Sequence, residues 1–129
     1  MKTLVIHPKD ETTDVLSLIY EGKDYTVIND VNISKEQLKQ TIREHDRIIL
    51  LGHGLPDGMI NPKVMKELPC LDNLYFVDDS FADVLRTKET VSVWCYSDLF
   101  FRKHRIPGFH TGMIISEMQE ARFVLGHCP

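Results

Sequence analysis

No stretch of this 129-residue chain approaches the roughly 18 apolar residues that a membrane-spanning helix needs. The opening "MKTLVIHPKD" offers only Leu4-Val5-Ile6 before His-Pro, too short for a secretory signal, so the expectation is a cytoplasmic protein with no membrane partner. Cysteine is scarce. Cys70, Cys95 and Cys128 are odd in number and lack paired spacing, which argues against a disulfide framework and a four-ligand zinc site. None of the six histidines is spaced with another ligand as a zinc motif, so neither a metal nor a cofactor is expected. A surplus of positive charge is missing as well. The 15 lysines and arginines are scattered among 19 acidic residues, a net charge of −4 that leaves no basic face for nucleic acid. The "GHG" at 52–54 lacks the spaced glycines and Lys-Ser/Thr of a P-loop and the GxGxxG of dinucleotide folds.

What is present is a globular composition, 43% apolar and 26% charged, without repeats, low-complexity tracts or linkers, which predicts one domain over 1–129. Runs rich in Val, Ile and aromatics predict strands at 3–6, 25–28, 47–51, 74–77, 91–94 and 112–116. Capped amphipathic segments lie between them. In "ISKEQLKQTIREH" Ser34 and Gln37 form a capping box, Ile33 and Leu38 a hydrophobic staple, and Leu38 and Ile42 share a face. Further helices are expected over 12–20, from Ser80, from Ser97 with basic residues in its last turn, and from Ser116, where Gln119 repeats the capping box before Gly126.

Strands alternating with helices, and apolar without interruption, imply a parallel sheet covered on both faces. The expected fold is an α/β three-layer α/β/α sandwich with a mostly parallel central sheet, caspase-like or flavodoxin-like, with a small hairpin insertion near 58–78. The run Ile48 to Leu51 places its strand at the centre, directly beside the strand that ends at Cys95.

Open α/β sheets bind ligands outside the carboxyl ends of their strands. His7 follows the first strand, His53 the third, and Cys95 ends "VSVW", so all three fall on one edge. A thiol with an imidazole to move its proton and backbone N–H groups to hold an oxyanion is the set that nucleophilic cysteine chemistry needs. Glycines flanking His53 would let a carbonyl approach the N–H of Gly54. On the same edge His7, Asp57, Ser97 and Asp98 are placed to touch a peptide or small-molecule substrate. Each also has a plain structural duty: His7 as a loop residue capping its strand, Asp57 in the Pro-Asp-Gly turn, and Asp98, like Glu117, at a helix start. His53 can equally be a turn residue, and Cys95 a small buried hydrophobe. Cys70, Cys128, His45, His104, His110 and His127 show no partner signal and read as structural or surface residues.

A strand ending in "GHG", a short "DG" hairpin, the unit "YFVDDSFADVLR" and a second apolar strand ending in Cys together resemble the caspase-like (clan CD) cysteine peptidases. In caspases the catalytic His lies roughly 50 residues before the Cys, and here 42 residues separate them. The resemblance implies His53 as catalytic histidine, Cys95 as nucleophile and the N–H groups of Gly54 and Cys95 as oxyanion hole, hence a peptidase-like cysteine hydrolase. Two other readings use the same residues: a small-ligand sensing module, with a nucleotide among its candidate ligands, and a catalytically silent interaction domain.

Overall fold

The structure is a computed structural model and describes residues 2–8, 13–62 and 74–110. Among the described residues five strands form the main sheet: β1 (Thr3–Ile6), β2 (Thr26–Ile28), β3 (Arg47–Leu51), β7 (Glu89–Val93) and β8 (Phe109–His110). Their order is β2-β1-β3-β7-β8, and every neighbouring pair is parallel. This is the flavodoxin-like doubly wound order, counted along the sheet as 2-1-3-4-5. As expected from its apolar run, β3 is central and pairs directly with β7, with Leu51 opposite Val93.

Apolar residues run without alternation because both faces are covered. Leu4, Ile6, Ile48 and Leu50 face one side, where they meet Leu38 and Ile42 of α1 (Lys35–Arg43), Leu85 of α2 (Ala82–Arg86) and Phe100 and Phe101 of α3 (Ser97–Lys103). Val5, Ile49 and Leu51 face the other, against Leu16, Tyr20, Tyr25, Val91 and Val93. The expected capping box opens α1: the Ser34 side chain accepts from the Gln37 N–H, and the Gln37 side chain accepts from the Ser34 N–H.

Between β3 and β7 lies a second, antiparallel sheet of β4 (Gly54–Leu55), β5 (Gly58–Ile60) and β6 (Tyr75–Val77). The insertion expected near 58–78 therefore begins earlier, immediately after His53. Gly58 has φ +152°, and a Cβ there would lie 2.2 Å from the Val77 carbonyl oxygen, so the turn residue must be glycine.

Two readings need adjustment. The first helix is a 3-10 helix, Asp14–Ile19, with no side-chain cap, so the short segment tightens instead of forming an α-helix. The fifth strand of the main sheet is the two-residue β8, too short to show a period. Gly108, at φ +137°, turns the chain into it. The strand expected at 112–116, the helix from Ser116 with Glu117, and Cys70, His127 and Cys128 lie outside the described residues. Among the described residues no helix is long and apolar enough to cross a membrane.

Candidate functional site

The connection from β1 to β2 crosses the face that holds Leu16 and runs to one side of β1, whereas the connection from β3 to β7 passes through α2 on the opposite face and runs to the other side. The chain therefore leaves β1 and β3 in opposite directions, which is the topological switch point where sheets of this kind part to admit ligands. His7 stands at the end of β1 and Gly52-His53-Gly54 at the end of β3. His7 and His53 are both fully buried.

The His7 ring is held from two sides. Its Nε2 lies 3.1 Å from the Thr13 carbonyl oxygen, which only accepts, so Nε2 carries the hydrogen when the ring is neutral. Nδ1 then accepts from the Tyr20 hydroxyl at 2.9 Å, and the Tyr20 ring meets the imidazole edge-on. His7 thus pins the start of the 3-10 segment to the end of β1, which is the strand-capping duty open to it in the sequence.

The two glycines of "GHG" have different causes. A Cβ on Gly52 would make ordinary 3.7 Å contacts with Met59 Sδ and Pro8 Cγ. One on Gly54 would lie 1.9 Å from Trp94 Cδ1, because the indole rests on the bare backbone. Trp94 is fully buried, packs on Phe100 and Phe101 at ring centroid distances of 5.5 and 5.6 Å, and donates its Nε1–H to the Leu55 carbonyl at 3.2 Å. The side of Gly54 that was to admit a substrate carbonyl is occupied by tryptophan.

The register sets Leu51 opposite Val93, and His53 and Cys95 each follow two residues beyond that last pair. Cys95 is buried at 6% exposure. After it Tyr96 takes the left-handed conformation, φ 67°, and turns the chain into α3, whose first residue is the buried Ser97. Ser97 joins a polar column beneath α3. Its Oγ lies 3.0 Å from Ser92 Oγ, which lies 2.6 Å from His110 Nδ1, and the His110 ring stacks on Phe101 at 3.7 Å. His110 showed no partner in the sequence because the contact depends on β8 pairing with β7.

Asp98 sits in the first turn of α3 and lies 3.9 Å from Arg102. Asp57 is drawn to the far end of that helix, 3.0 Å from Lys103 Nζ, and Asp79 lies 2.9 Å from His104 Nε2. These contacts tie the small sheet to α3. Burial, and then the carboxylates of Asp57 and Asp79, hold the Tyr75 phenol above its ordinary pKa. His45 is a buried structural residue with Nδ1 2.7 Å from the Thr41 carbonyl. Among the described residues no three His, Cys, Asp or Glu side chains gather as a metal site.

No protein-family model and no curated protein matches the chain. Among solved structures it is similar to the Trp repressor binding protein from Bacillus subtilis, at 14% identity and TM-score 0.44, over 94% of this chain and 90% of that one. It is also similar to a protein described as NADPH-quinone reductase from P. pentosaceus, at 17% identity and TM-score 0.45, over 98% and 95%. Neither is described as a caspase-like peptidase. The resemblance carried by "GHG" and "VSVWC" is corrected on the packing of this chain: Gly54 is a seat for Trp94, and His53 and Cys95 are both buried. This packing does not support cysteine hydrolysis through His53, Cys95 and the Gly54 N–H.

Proposed function

We propose that this chain is a small-ligand-binding domain whose site lies at the carboxyl edge between β1 and β3, and that it works in the cytoplasm without nucleic-acid or membrane partners. The observation that carries the reading is the reversal of connection at β1 and β3, with a fully buried imidazole at the end of each strand. Sheets of this order bind ligands at this point.

Flavodoxins of this order hold flavin mononucleotide there. The described edge does not suit its phosphate. Residues 7–8, 52–57 and 94–98 include Asp57 and Asp98 but no lysine or arginine, and His7 is engaged by Tyr20 and Thr13. The ligand class that fits is an uncharged heterocycle, such as a nucleoside or a flavin without phosphate, held by hydrogen bonds and stacking.

The test is thermal melting and calorimetric titration with riboflavin, flavin mononucleotide, adenosine, adenosine monophosphate and NADPH. An uncharged member should bind more tightly than its phosphorylated form. At a hundredfold excess over Kd it should stabilise the fold by about 2.7 kcal/mol, a rise on the order of 10 °C. Gly52→Leu, which fills the space between Pro8 and Met59, should abolish the shift. No response to any compound, or an undiminished response in Gly52→Leu, refutes the reading.

A further inference from the structure

Among the described residues two non-glycine positions have positive φ, Tyr96 at 67° and Arg105 at 56°. The end of α3 accounts for Arg105: the Ile106 N–H reaches back to the Phe101 carbonyl at 2.8 Å and closes the helix, leaving the arginine side chain exposed. Tyr96 lies instead at the carboxyl edge, between the end of β7 and the start of α3. A bulky residue is strained in this conformation, glycine makes the same turn freely, and residues held under strain cluster where ligands are gripped. The ring is what tyrosine adds. Among the described residues the half-buried Tyr96 side chain makes no ring contact, and its hydroxyl no hydrogen bond. The neighbouring aromatic rings are committed elsewhere: Trp94 is fully buried on Gly54 against Phe100 and Phe101, and Tyr20 donates to His7. Tyr96 is also held beside the candidate site. The Gly52 N–H donates to the Val93 carbonyl at 3.1 Å and Trp94 Nε1–H to the Leu55 carbonyl at 3.2 Å, so the chain leaving β7 lies against the chain leaving β3.

We propose that Tyr96 is the stacking platform of the ligand site and selects fused-ring heterocycles within the ligand class. The inference rests on the ligand site described above and adds to it a ligand-contacting residue and a preference among ligands. Stacking gains grow with the area of ring overlapped, because dispersion contacts and displaced water both scale with it, so a purine or a flavin is favoured over a single-ring pyrimidine. The left-handed turn fixes the direction in which the Tyr96 Cβ leaves the backbone. The ring is therefore placed before the ligand arrives, and less freedom is lost on binding.

Two variants of the full chain test the proposal, by thermal melting and by calorimetric titration with riboflavin, adenosine and uridine. Tyr96→Gly should melt no more than about 5 °C below the parent, because relief of the left-handed strain offsets the loss of a half-buried ring. It should bind riboflavin and adenosine about tenfold more weakly, equal to about 1.4 kcal/mol and within what stacking on an aromatic ring supplies, and uridine only about twofold more weakly. Tyr96→Phe keeps the ring and should restore the fused-ring preference. Undiminished binding in Tyr96→Gly, equal weakening of all three ligands, a Tm fall beyond about 5 °C, or loss of the preference in Tyr96→Phe overturns the platform while leaving the site standing. Failure of riboflavin, adenosine and uridine alike to bind the parent overturns the site and the platform together.

Discussion

Gly54→Ala is the substitution for which the structure makes the sharpest demand. The new Cβ would lie 1.9 Å from Trp94 Cδ1 and 2.4 Å from Nε1. Both distances are far inside van der Waals contact. The indole cannot retreat, because Phe100 and Phe101 pack against it and all three rings are buried. Any shift also weakens the Nε1–H donation to Leu55 O, now at 3.2 Å. Overpacking of this kind costs about 1–3 kcal/mol, and the lost hydrogen bond about 1 more, so roughly 2–4 kcal/mol is expected. With an unfolding entropy of about 2.1 cal/mol/K per residue, that is a fall in Tm of about 7–15 °C for this chain. Gly52→Ala is the control. Its Cβ meets nothing nearer than 3.7 Å among the described residues and its backbone needs no positive φ, so its Tm should stay within about 3 °C of the parent. In a Trp94→Leu background, where the indole is gone, Gly54→Ala should lose most of its cost, a coupling of at least about 1 kcal/mol. The assay is thermal and urea unfolding of the four variants and parent side by side. Equal Tm for Gly54→Ala and the parent, or equal losses for the two glycines, would refute the assignment of Gly54 to the Trp94 contact.

Three further outcomes are expected. Ser34→Ala removes the acceptor for the Gln37 N–H and should lower stability by about 1 kcal/mol, or about 4 °C, in the same unfolding assay. His110 has its pKa lowered by burial, so the folded state binds fewer protons than the unfolded chain, and its contribution to stability is intact above the ordinary value of 6.5. It should be lost as pH falls from there through the folded-state midpoint, and urea midpoints at pH 7.5 and 5 should converge more closely in His110→Gln than in the parent. Cys95, at 6% exposure, should react with iodoacetamide more slowly in the native protein than in urea, with peptide mass spectrometry as the readout. Labelling of Cys95 at the same rate in both would show that the edge opens freely.

The elements legible in the sequence are those whose signal is local. In α1 the residues of the cap, the staple and the buried face lie within ten positions, and the structure keeps all of them. The unbroken apolar runs of β1 and β3 report burial on both faces, which the two core clusters supply. β8 was illegible for the opposite reason. Two residues carry no period, and Phe109-His110 is a strand only because β7 lies alongside. The 3-10 segment shows the same limit: Asp14–Ile19 has helical composition, but the tighter winding belongs to its packing.

The edge itself was legible, since strand ends place His7, His53 and Cys95 there whatever their purpose. What each of them touches was not. A glycine beside a strand-end histidine reads identically whether its missing Cβ makes room for a substrate or for a side chain from elsewhere in the fold. Here the occupant is Trp94, 40 positions away in the chain, and its own partners Phe100 and Phe101 come from the following helix. The cysteine reading joined His53 to Cys95 by setting their strands side by side, and β3 and β7 are neighbours. It failed at the next step, because residues level on adjacent strands can be buried together as readily as presented together. The same register logic, carried one strand further to β8, sets His110 opposite Ser92, and there the side chains do meet in a hydrogen bond. Strand pairing decides which residues are neighbours, and the aromatic packing above it decides which of them a ligand can reach.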